Sequence, residues 1–420
     1  MTYILRTLEQ TLARLTSSQP VIMVTGPRQS GKSTLLQHFL TSKGHKFDYV
    51  SFDDPLMRAQ AIQDPKLFLT NFLRPLIIDE FQYVPEILPY LKIEIDQLRW
   101  QRLRAGIDKP VCQFYLTGSQ TFQTMKNVSE SLAGRIEILD LYPLSNRELS
   151  EGKEEPFWPE INRLRRRRPT KALTGLPLFE RFLQGGFPEL HTNTHVDRER
   201  FFAEYIRTYM ERDVRDIANI KNETKFFQFV CSLAARTGQE YNPTDIARDV
   251  EVDRLTVEAW TSILKNTYLI YLLQPYYNND VSRAIKRPKI YFMDTGLACY
   301  LTGYADPRAL GLSNYIGAIF ETYVVTQVIK SLTNNGFDPR LHLYYYRDTL
   351  KREIDLLIVR NGQMYPVEIK KSTHPDQKAA KHFDLVDQFP YRRQPGIILC
   401  LADRLQAIDE QTYLVPLEYI

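Results

Sequence analysis

The sequence contains little cysteine and no long apolar run. Its four cysteines, at positions 112, 231, 299 and 400, include no C-x-x-C pair, which argues against a disulfide framework or a cysteine zinc site and favours a reducing compartment. No run approaches the ~20 apolar residues of a membrane span, and the amino terminus lacks the apolar core of a signal peptide. We therefore expect a cytoplasmic protein with no membrane partner.

Internal repeats, low-complexity tracts and a strong net charge are absent as well. The formal net charge of +4 at pH 7 is too small by itself to indicate a polyanionic partner. The composition is otherwise that of a globular protein, with 43% hydrophobic and 25% charged residues. A chain of 420 residues is expected to form about three domains.

The most informative segment is GPRQSGKS at residues 26–33, which matches the phosphate-loop pattern G-x-x-x-x-G-K-S. The apolar run 21–24 predicts a buried strand before it, and a helical pattern begins at residue 34, so the motif has the strand–loop–helix context that it needs. Its glycines let backbone N–H groups face a phosphate at a helix N-terminus. The predicted nucleotide-binding residues are Gly26, Pro27, Arg28, Gln29, Ser30, Gly31, Lys32, Ser33 and Thr34.

Hydrolysis of bound ATP requires further groups beside this loop. Lys32 is expected to reach the β- and γ-phosphates, and Ser33 to hold Mg²⁺. An apolar strand ends at Asp79, which would complete the Mg²⁺ shell, and Glu80 follows, placed to orient or deprotonate the attacking water. The next predicted strand ends in small polar residues, of which Thr117 or Ser119 would contact the γ-phosphate or that water; an ordinary strand cap is the equal alternative for either residue.

Short β-rich runs alternate with helical stretches over residues 20–142. The predicted strands are 20–25, 47–52, 75–79, 111–117 and 136–141. Such alternation implies a parallel sheet with helices on both faces. We therefore expect an α/β fold with a three-layer P-loop core.

Three further segments follow residue 142, each with a different predicted pattern of helices and strands. Residues 143–223 predict a helical lid that includes a charged surface loop at 150–174. Residues 224–310 carry three helical segments and two short strands, the order of a winged helix-turn-helix. The last segment combines helices predicted over 316–332 and 377–388 with several strands, which predicts a second α/β domain. The predicted domains are thus 1–142, 143–223, 224–310 and 311–420.

The ordered motifs GPRQSGKST, LIIDEFQYVP, YLTGSQ, LAGR and GGFPE resemble those of a large prokaryotic family of AAA-type ATPases, over nearly the whole chain. That family looks related to the archaeal ATPases, and its members carry a C-terminal domain of uncharacterised function. In AAA-type enzymes an arginine often reaches the γ-phosphate of a neighbouring subunit. Arg135, in LAGR, matches that arginine best, with a helix-capping surface arginine as the alternative. The resemblance thus allows a homo-oligomer without establishing one.

A second cluster of candidate metal-binding and catalytic residues is predicted near the carboxyl terminus. Asp355 lies on one apolar strand, and Glu368 and Lys370 share a face of the next. Two carboxylates and a lysine on one face are costly in a half-buried sheet unless they bind something. Asp355 and Glu368 are candidate Mg²⁺ ligands, with Glu321 on the preceding helix as a further one. Lys370 would stabilise the charge that develops on a phosphodiester.

This helix with a D…ExK arrangement resembles the PD-(D/E)XK nuclease superfamily, which implies a restriction-endonuclease-like α/β domain. The chain departs from the pattern at Ile354, where the family has proline, a departure that many divergent members share. The alternatives are a solvated hairpin and a degenerate, inactive nuclease fold. Both stay open at this point.

Two clusters of basic residues are candidate contacts to the phosphates of a DNA partner. The run Arg165–Arg168 is of a kind that is usually a solvated loop but also binds phosphates. A second set lies on the predicted wing, where winged helices commonly meet the DNA backbone: Arg283, Lys286, Arg287 and Lys289. The predicted recognition helix also carries acidic residues, which favours protein contacts instead.

Two functions fit these features. The first is an enzyme that hydrolyses ATP with Mg²⁺ and couples hydrolysis to DNA binding or processing through the nuclease-like domain. The second is a signalling or regulatory protein that uses ATP as a conformational switch and whose C-terminal domain binds without cleaving. The complete phosphate loop with both carboxylates favours the first, and the acidic recognition helix favours the second.

Overall fold

The computed structural model describes residues 2–106, 112–118, 128, 131–152, 154–210, 222–277 and 287–420. These residues form two compact units: Leu5–Pro143 with Asn334–Gly336, and a second that consists mainly of Leu144–Thr333 and Phe337–Ile420. Ser119, the predicted alternative to Thr117, and Arg283 and Lys286 of the predicted wing lie outside the described ranges. Within those ranges, no helix is both long and apolar enough to cross a membrane.

The first unit is built on a five-stranded parallel sheet. Its strands are β1 Val21–Thr25, β2 Asp48–Ser51, β3 Leu76–Asp79, β4 Phe114–Gly118 and β5 Ile136–Asp140. They lie in the order β2-β3-β4-β1-β5, and each neighbouring pair is parallel. The predicted strands and the parallel sheet are confirmed. Because all carboxyl ends meet at one edge, that edge carries both the loop after β1 and the acidic end of β3.

Helices cover both faces of this sheet. They are α1 Leu8–Leu15, α2 Lys32–Ser42, α3 Pro55–Gln63, α4 Pro65–Thr70 and α5 Leu88–Arg104. Alternate residues of β1 point to opposite faces, so Val21 and Met23 join the core formed with α3–α5, whereas Ile22 and Val24 join the core formed with α1 and α2. Burial on both faces explains why β1 is apolar throughout, and the three-layer prediction is confirmed.

The second unit begins with helices and one hairpin. The helices are α6 Asn146–Leu149, α7 Ile161–Leu164, α8 Leu176–Gln184, α9 Glu189–Thr192, α10 Arg198–Tyr209, α11 Glu223–Ala234, α12 Pro243–Val250, α13 Arg254–Asn266, α14 Thr295–Leu301, α15 Pro307–Leu312 and α16 Ile316–Asn334. After α13, β6 Ile270–Leu273 pairs in antiparallel fashion with β7 Lys289–Phe292. Asn242 and Asp253 start α12 and α13 because their side chains accept backbone N–H groups of the first turn.

The carboxyl-terminal part is a seven-stranded mixed sheet. Its strands are β8 Leu343–Arg347, β9 Glu353–Arg360, β10 Gln363–Ile369, β11 Arg392–Arg393, β12 Gly396–Cys400, β13 Gln406–Ala407 and β14 Thr412–Pro416. Six follow the order β13-β14-β12-β10-β9-β8, and β11 pairs with β10. In the antiparallel β9–β10 pair, Val367 stands opposite Leu356, which brings residue 368 beside residue 355.

The helix predicted over 377–388 is wrong. The structure has two 3₁₀ segments there, Gln377–Ala380 and Phe383–Gln388. Phe383, Leu385 and Val386 all pack into the core of the C-terminal sheet. Phe383, Val386 and Phe389 recur at every third residue, so a 3₁₀ segment places all three on the face that contacts the sheet.

The segment 150–174, expected to be a charged surface loop, also carries buried side chains. Trp158 is 1% exposed and lies 4.2 Å from the guanidinium of Arg360. Arg167 donates to the carbonyl oxygen of Pro156 at 3.3 Å, and burial lowers the pKa of Arg167 to about 10. The run Arg165–Arg168 is therefore not a uniformly solvated phosphate-binding loop.

Candidate functional site

The phosphate loop joins β1 to α2 along a path that only glycine permits. Gly31 has a φ of 90° and immediately precedes the first helical residue, Lys32. Gly26 has a φ of 146°, and a Cβ there would collide with the carbonyl oxygen of Leu141. Both glycines are thus required by the backbone. The first-turn N–H groups of α2, which have no partner within the helix, lie at the carboxyl edge of the sheet.

The ammonium group of Lys32 is buried within its own loop. The residue is 8% exposed, and its Nζ donates to the carbonyl oxygens of Gly26 at 3.1 Å and Pro27 at 3.0 Å. Both acceptors are uncharged. A phosphate oxygen is a stronger acceptor for a lysine because it is charged, so a triphosphate can replace these carbonyls.

Arg6 supports the loop from its other side. It is 3% exposed and donates to the carbonyl oxygens of Ser30 at 3.0 Å and Tyr142 at 2.7 Å. These bonds tie the loop to the chain that follows β5. Sequence reasoning missed Arg6, because it belongs to no motif and lies before the first helix.

Asp79 is the point at which three hydroxyl groups converge. Its Oδ1 accepts hydrogen bonds from the Ser33 hydroxyl at 2.6 Å and from the Thr117 hydroxyl. Its Oδ2 accepts a hydrogen bond from the Tyr49 phenol at 2.7 Å. Asp79 itself is 8% exposed. The structure thus brings together Ser33, Asp79 and Thr117, which the sequence singled out, and adds Tyr49 on β2, which it did not.

Glu80 follows Asp79 and adopts a left-handed backbone conformation. Its φ is 55°, which is uncommon for a glutamate and clusters at functional positions. Its N–H donates to the Thr117 hydroxyl at 3.4 Å, and its carboxylate accepts from the side-chain amide of Gln82. A Cβ at Gly118 would collide with that amide. The proposed base therefore lies beside Asp79, with its carboxylate engaged by Gln82.

The groups at this edge fit a magnesium–triphosphate. Mg²⁺ prefers oxygen ligands and usually takes few of them from the protein, and the Ser33 hydroxyl lies within 2.6 Å of the Asp79 carboxylate. Lys32 and the N-terminus of α2 supply the positive charge that phosphates require. The chemistry of the donor set therefore matches the predicted cofactors, ATP and Mg²⁺.

Arg135 lies at the opposite edge of the same sheet. It precedes the five-residue strand β5, and the carboxyl end of β5 is near the phosphate loop. The length of β5, at about 3.3 Å per residue, therefore separates Arg135 from the loop. Its Nε and NH2 donate to the two carboxylate oxygens of Asp96 at 2.7 and 3.0 Å, beside a cavity of about 440 Å³. Arg135 does not reach the phosphate loop of its own chain, and its role towards a neighbouring subunit stays a prediction.

The second predicted cluster also assembles, on the β9–β10 pair. Glu368 is 9% exposed and accepts a hydrogen bond from Lys370 Nζ at 2.6 Å. Asp355 Oδ2 accepts the backbone N–H of Ile369 at 2.9 Å. Glu321 on α16 is near enough that its charge acts on both carboxyl groups. We call Glu321, Glu353, Asp355, Glu368, Lys289 and Lys370 the C-terminal centre.

Lys289 belongs to this centre rather than to a DNA-binding wing. It lies on β7 and is 3% exposed. Its Nζ lies 3.0 Å from Glu321 Oε1 and 2.5 Å from Glu353 Oε1, and the neighbouring Tyr291 phenol donates to Glu321 Oε1 at 2.7 Å. A lysine buried between two carboxylates cannot contact a DNA backbone. The wing role predicted for Lys289 is therefore wrong.

The carboxyl groups of the C-terminal centre destabilise one another. Burial raises the pKa of Asp355 well above its usual range, and the charges of Glu321 and Glu368 raise that pKa further. Burial likewise raises the pKa of Glu368. Burial alone would lower the pKa of Lys289, but the surrounding acidic groups outweigh it and keep the ammonium charged.

The described side chains of the C-terminal centre do not form a preformed set of metal ligands. Within the described ranges, no three His, Cys, Asp or Glu side chains are grouped so that they could hold a metal ion. Glu321 instead accepts hydrogen bonds from Lys289 and Tyr291. The role of Asp355 and Glu368 as Mg²⁺ ligands stays a prediction.

Three segments of the chain match protein families. Residues 18–150 match the family described as an AAA domain, residues 177–308 a domain of unknown function, DUF8612, and residues 316–420 another, DUF4143. The chain is 28% identical over 379 residues to an uncharacterised protein of Mycobacterium tuberculosis, covering 90% of this chain and 76% of that protein. It is 23% identical over 352 residues to an uncharacterised protein of Methanocaldococcus jannaschii, covering 80% and 71%.

Similar solved structures include a Walker-type ATPase of Pyrococcus abyssi, with 16% identity, a TM-score of 0.41 and coverage of 70% of this chain and 94% of that chain. Another is the ORC2 protein of Aeropyrum pernix in ADPNP–ADP complexes, with 15% identity, a TM-score of 0.32 and coverage of 76% and 92%. The segment 18–150 thus matches an AAA domain and contains the complete phosphate loop described above, and matches to two domains of unknown function follow it.

Proposed function

We propose that the protein binds ATP together with Mg²⁺ and hydrolyses it. The observation that carries this proposal is the convergence of the Ser33 and Thr117 hydroxyls on Asp79, at the same sheet edge as Lys32. A phosphate loop alone would support binding only. An acidic strand end followed by a second carboxylate, Glu80, supports hydrolysis as well, because one carboxylate can serve the metal and the other the attacking water.

Each residue has a defined part in this mechanism. Lys32 exchanges the carbonyl oxygens of its own loop for oxygens of the β- and γ-phosphates, and the first-turn N–H groups of α2 bind the remaining phosphate oxygens. Ser33 and Asp79 hold the side of the site where Mg²⁺ would neutralise phosphate charge. Glu80 leaves the amide of Gln82 and accepts the hydrogen bond of the attacking water.

Phosphate release is the direct test of this proposal. Purified full-length protein with ATP and Mg²⁺ should release inorganic phosphate at a rate proportional to protein concentration, and excess EDTA should stop the release because the metal site at Ser33 and Asp79 is then empty. The assay is run with and without single-stranded DNA, duplex DNA and RNA. Absence of Mg²⁺-dependent release under all of these conditions would refute the proposal.

A second function is proposed for the C-terminal centre: binding of a nucleic-acid phosphate without cleavage. Asp355 and Glu368 would hold one Mg²⁺ and Lys370 would face the phosphate. Lys289 supports binding over cleavage, because its ammonium group already pairs with Glu321 and Glu353. In a nuclease, metal ions would neutralise such carboxylates. The winged-helix assignment of residues 224–310 and the DNA partner belong to this proposal.

Asp355→Asn should stabilise the protein at pH 8. The native pKa of Asp355 is raised, so the folded state binds more protons than the unfolded state above about pH 4, and stability falls as pH rises. Removing this charge should raise the free energy of unfolding at pH 8, and the gain should shrink as the pH falls towards 4. Thermal unfolding of the nucleotide-free protein across this pH range measures both the gain in stability at pH 8 and its decrease towards pH 4.

The exposed Asp384, in the same domain, provides the matched control, and Asp384→Asn should change nothing across the series. Mn²⁺ should raise the unfolding temperature of wild type and of the control but not that of Asp355→Asn. If Asp355→Asn lowers stability at pH 8, the account of mutual repulsion is wrong; if Mn²⁺ stabilises it as much as wild type, Asp355 is not a metal ligand.

The predicted domain division at residues 142, 223 and 310 remains part of this proposal. So does a homo-oligomer in which Arg135 reaches a neighbouring subunit. Its position at the edge away from its own phosphate loop is compatible with such a role, although the arginine would first have to leave Asp96.

A further inference from the structure

Tyr49 is the one member of the Asp79 cluster that no motif includes. It lies on β2, the outer neighbour of β3, where it stands opposite Ile77. Its side chain runs along the sheet towards the carboxyl edge, so that the phenol reaches Asp79 Oδ2 at 2.7 Å. The residue is 40% exposed, so apolar burial alone does not account for this position.

The bond from Tyr49 determines which way the Asp79 carboxylate faces. Rotation about the last torsion of an aspartate is broad and roughly two-fold, so nothing in the side chain itself selects one orientation. Ser33 and Thr117 both bond to Oδ1, and Tyr49 bonds to Oδ2 from the other side. A donor on each side of the carboxyl group holds its plane, and Oδ1 therefore stays turned towards Ser33.

We propose that Tyr49 is a positioning residue of the magnesium–nucleotide site, which holds the Asp79 carboxylate in the orientation that Mg²⁺ binding beside Ser33 requires. This inference rests on the proposed ATP-binding function. Partners that hold the ligands of a metal, without touching the metal, commonly contribute 10- to 100-fold to metal affinity. Tyr49 acts in this way through Asp79, and it does not contact the nucleotide.

Burial raises the pKa of the Tyr49 phenol well above its usual value, and the hydrogen bond and charge of Asp79 raise it further. The phenol is thus the donor in this contact, and the carboxylate oxygen of Asp79 accepts.

The test is Tyr49→Phe, which removes only the hydroxyl group. Binding of a fluorescent, non-hydrolysable ATP analogue is titrated by anisotropy over a series of Mg²⁺ concentrations and again in excess EDTA. The Mg²⁺ concentration that gives half of the full increase in affinity should rise by about 10-fold. Affinity in EDTA should match that of wild type, because Lys32 and the loop are untouched.

Tyr115→Phe is the matched control. Tyr115 lies on β4 in the same sheet, and its phenol bonds to Thr16 at 3.1 Å rather than to the phosphate-loop edge. It should leave the Mg²⁺ series unchanged. In an Asp79→Asn background, Tyr49→Phe should add no further change, since residues that act through one partner are not additive.

The possible outcomes are distinguishable. Wild type that binds no analogue would contradict the proposed function. Wild type that binds, with the same Mg²⁺ series in Tyr49→Phe, would overturn the role of Tyr49 alone. Equal weakening of Tyr49→Phe in Mg²⁺ and in EDTA, or a further effect in Asp79→Asn, would overturn it too, because both would indicate a general structural role.

Discussion

Lys32→Ala is expected to abolish measurable ATP binding. The ammonium group already lies inside the loop at 3.0–3.1 Å from two carbonyl oxygens, so it needs little movement to reach a phosphate. Charge-assisted hydrogen bonds of this kind contribute about 1.5–3 kcal/mol each. Loss of two such bonds corresponds to about 10²- to 10⁴-fold weaker binding, and phosphate release should fall at least as much.

Lys43→Ala serves as the control for this substitution. Lys43 caps the other end of α2 and is exposed, so its removal changes the charge of the same helix without touching the loop. It should bind ATP as wild type does. If Lys32→Ala is folded by circular dichroism and still binds ATP within about three-fold of wild type, the phosphate loop is not the nucleotide site.

Glu80→Gln is expected to separate binding from hydrolysis. Glutamine keeps the size of the side chain but cannot accept a proton, and a general base typically contributes about 10²- to 10⁴-fold to rate. Single-turnover hydrolysis should therefore fall by about 10²-fold or more, while affinity for ATP stays near that of wild type. The bond to Gln82 lies outside the phosphate loop, so its change does not disturb Lys32.

Glu86→Gln is the matched control, since Glu86 is exposed and follows on the same loop. It should leave the rate of single-turnover hydrolysis and the affinity for ATP unchanged. Hydrolysis by Glu80→Gln at the wild-type rate would remove Glu80 as the base. Equal loss of binding and hydrolysis would instead assign Glu80 to holding the nucleotide.

The phosphate-loop site could be predicted largely from the sequence, because its determinants are local. A glycine-rich loop between an apolar strand and a helix identifies Lys32 and Ser33 directly. Asp79 ends an apolar strand and Glu80 follows it. Because parallel strands end at a common edge, the approach of both residues to the loop follows from the fold class. The same reasoning placed Thr117 at that edge.

Side chains that depend on long-range register could not be predicted. Tyr49 reaches Asp79 only because β2 pairs with β3 so that Ser51 stands opposite Asp79, and no local pattern encodes that register. Lys289 looked like a wing residue because it closely follows basic residues 283, 286 and 287 in the sequence. Its carboxylate partners, Glu321 and Glu353, lie on α16 and β9, far along the chain.

The C-terminal centre shows the same division between local and distant determinants. Strand alternation correctly put Glu368 and Lys370 on one face, where they form an ion pair of 2.6 Å. The 3₁₀ geometry of residues 383–388 could not be predicted from periodicity, because apolar residues three apart fit one face of an α-helix as well as of a 3₁₀-helix; the structure buries Phe383 and Val386 against the sheet. Tertiary packing of this kind routinely overrides local propensity.

Isothermal titration of ATP into the full-length protein tests the central claim most directly. The account predicts saturable heat with one site per chain in the presence of Mg²⁺, weaker binding in EDTA, and no detectable binding by folded Lys32→Ala. A folded wild-type protein that gives no heat with ATP or any other nucleoside triphosphate, with or without Mg²⁺, would contradict it.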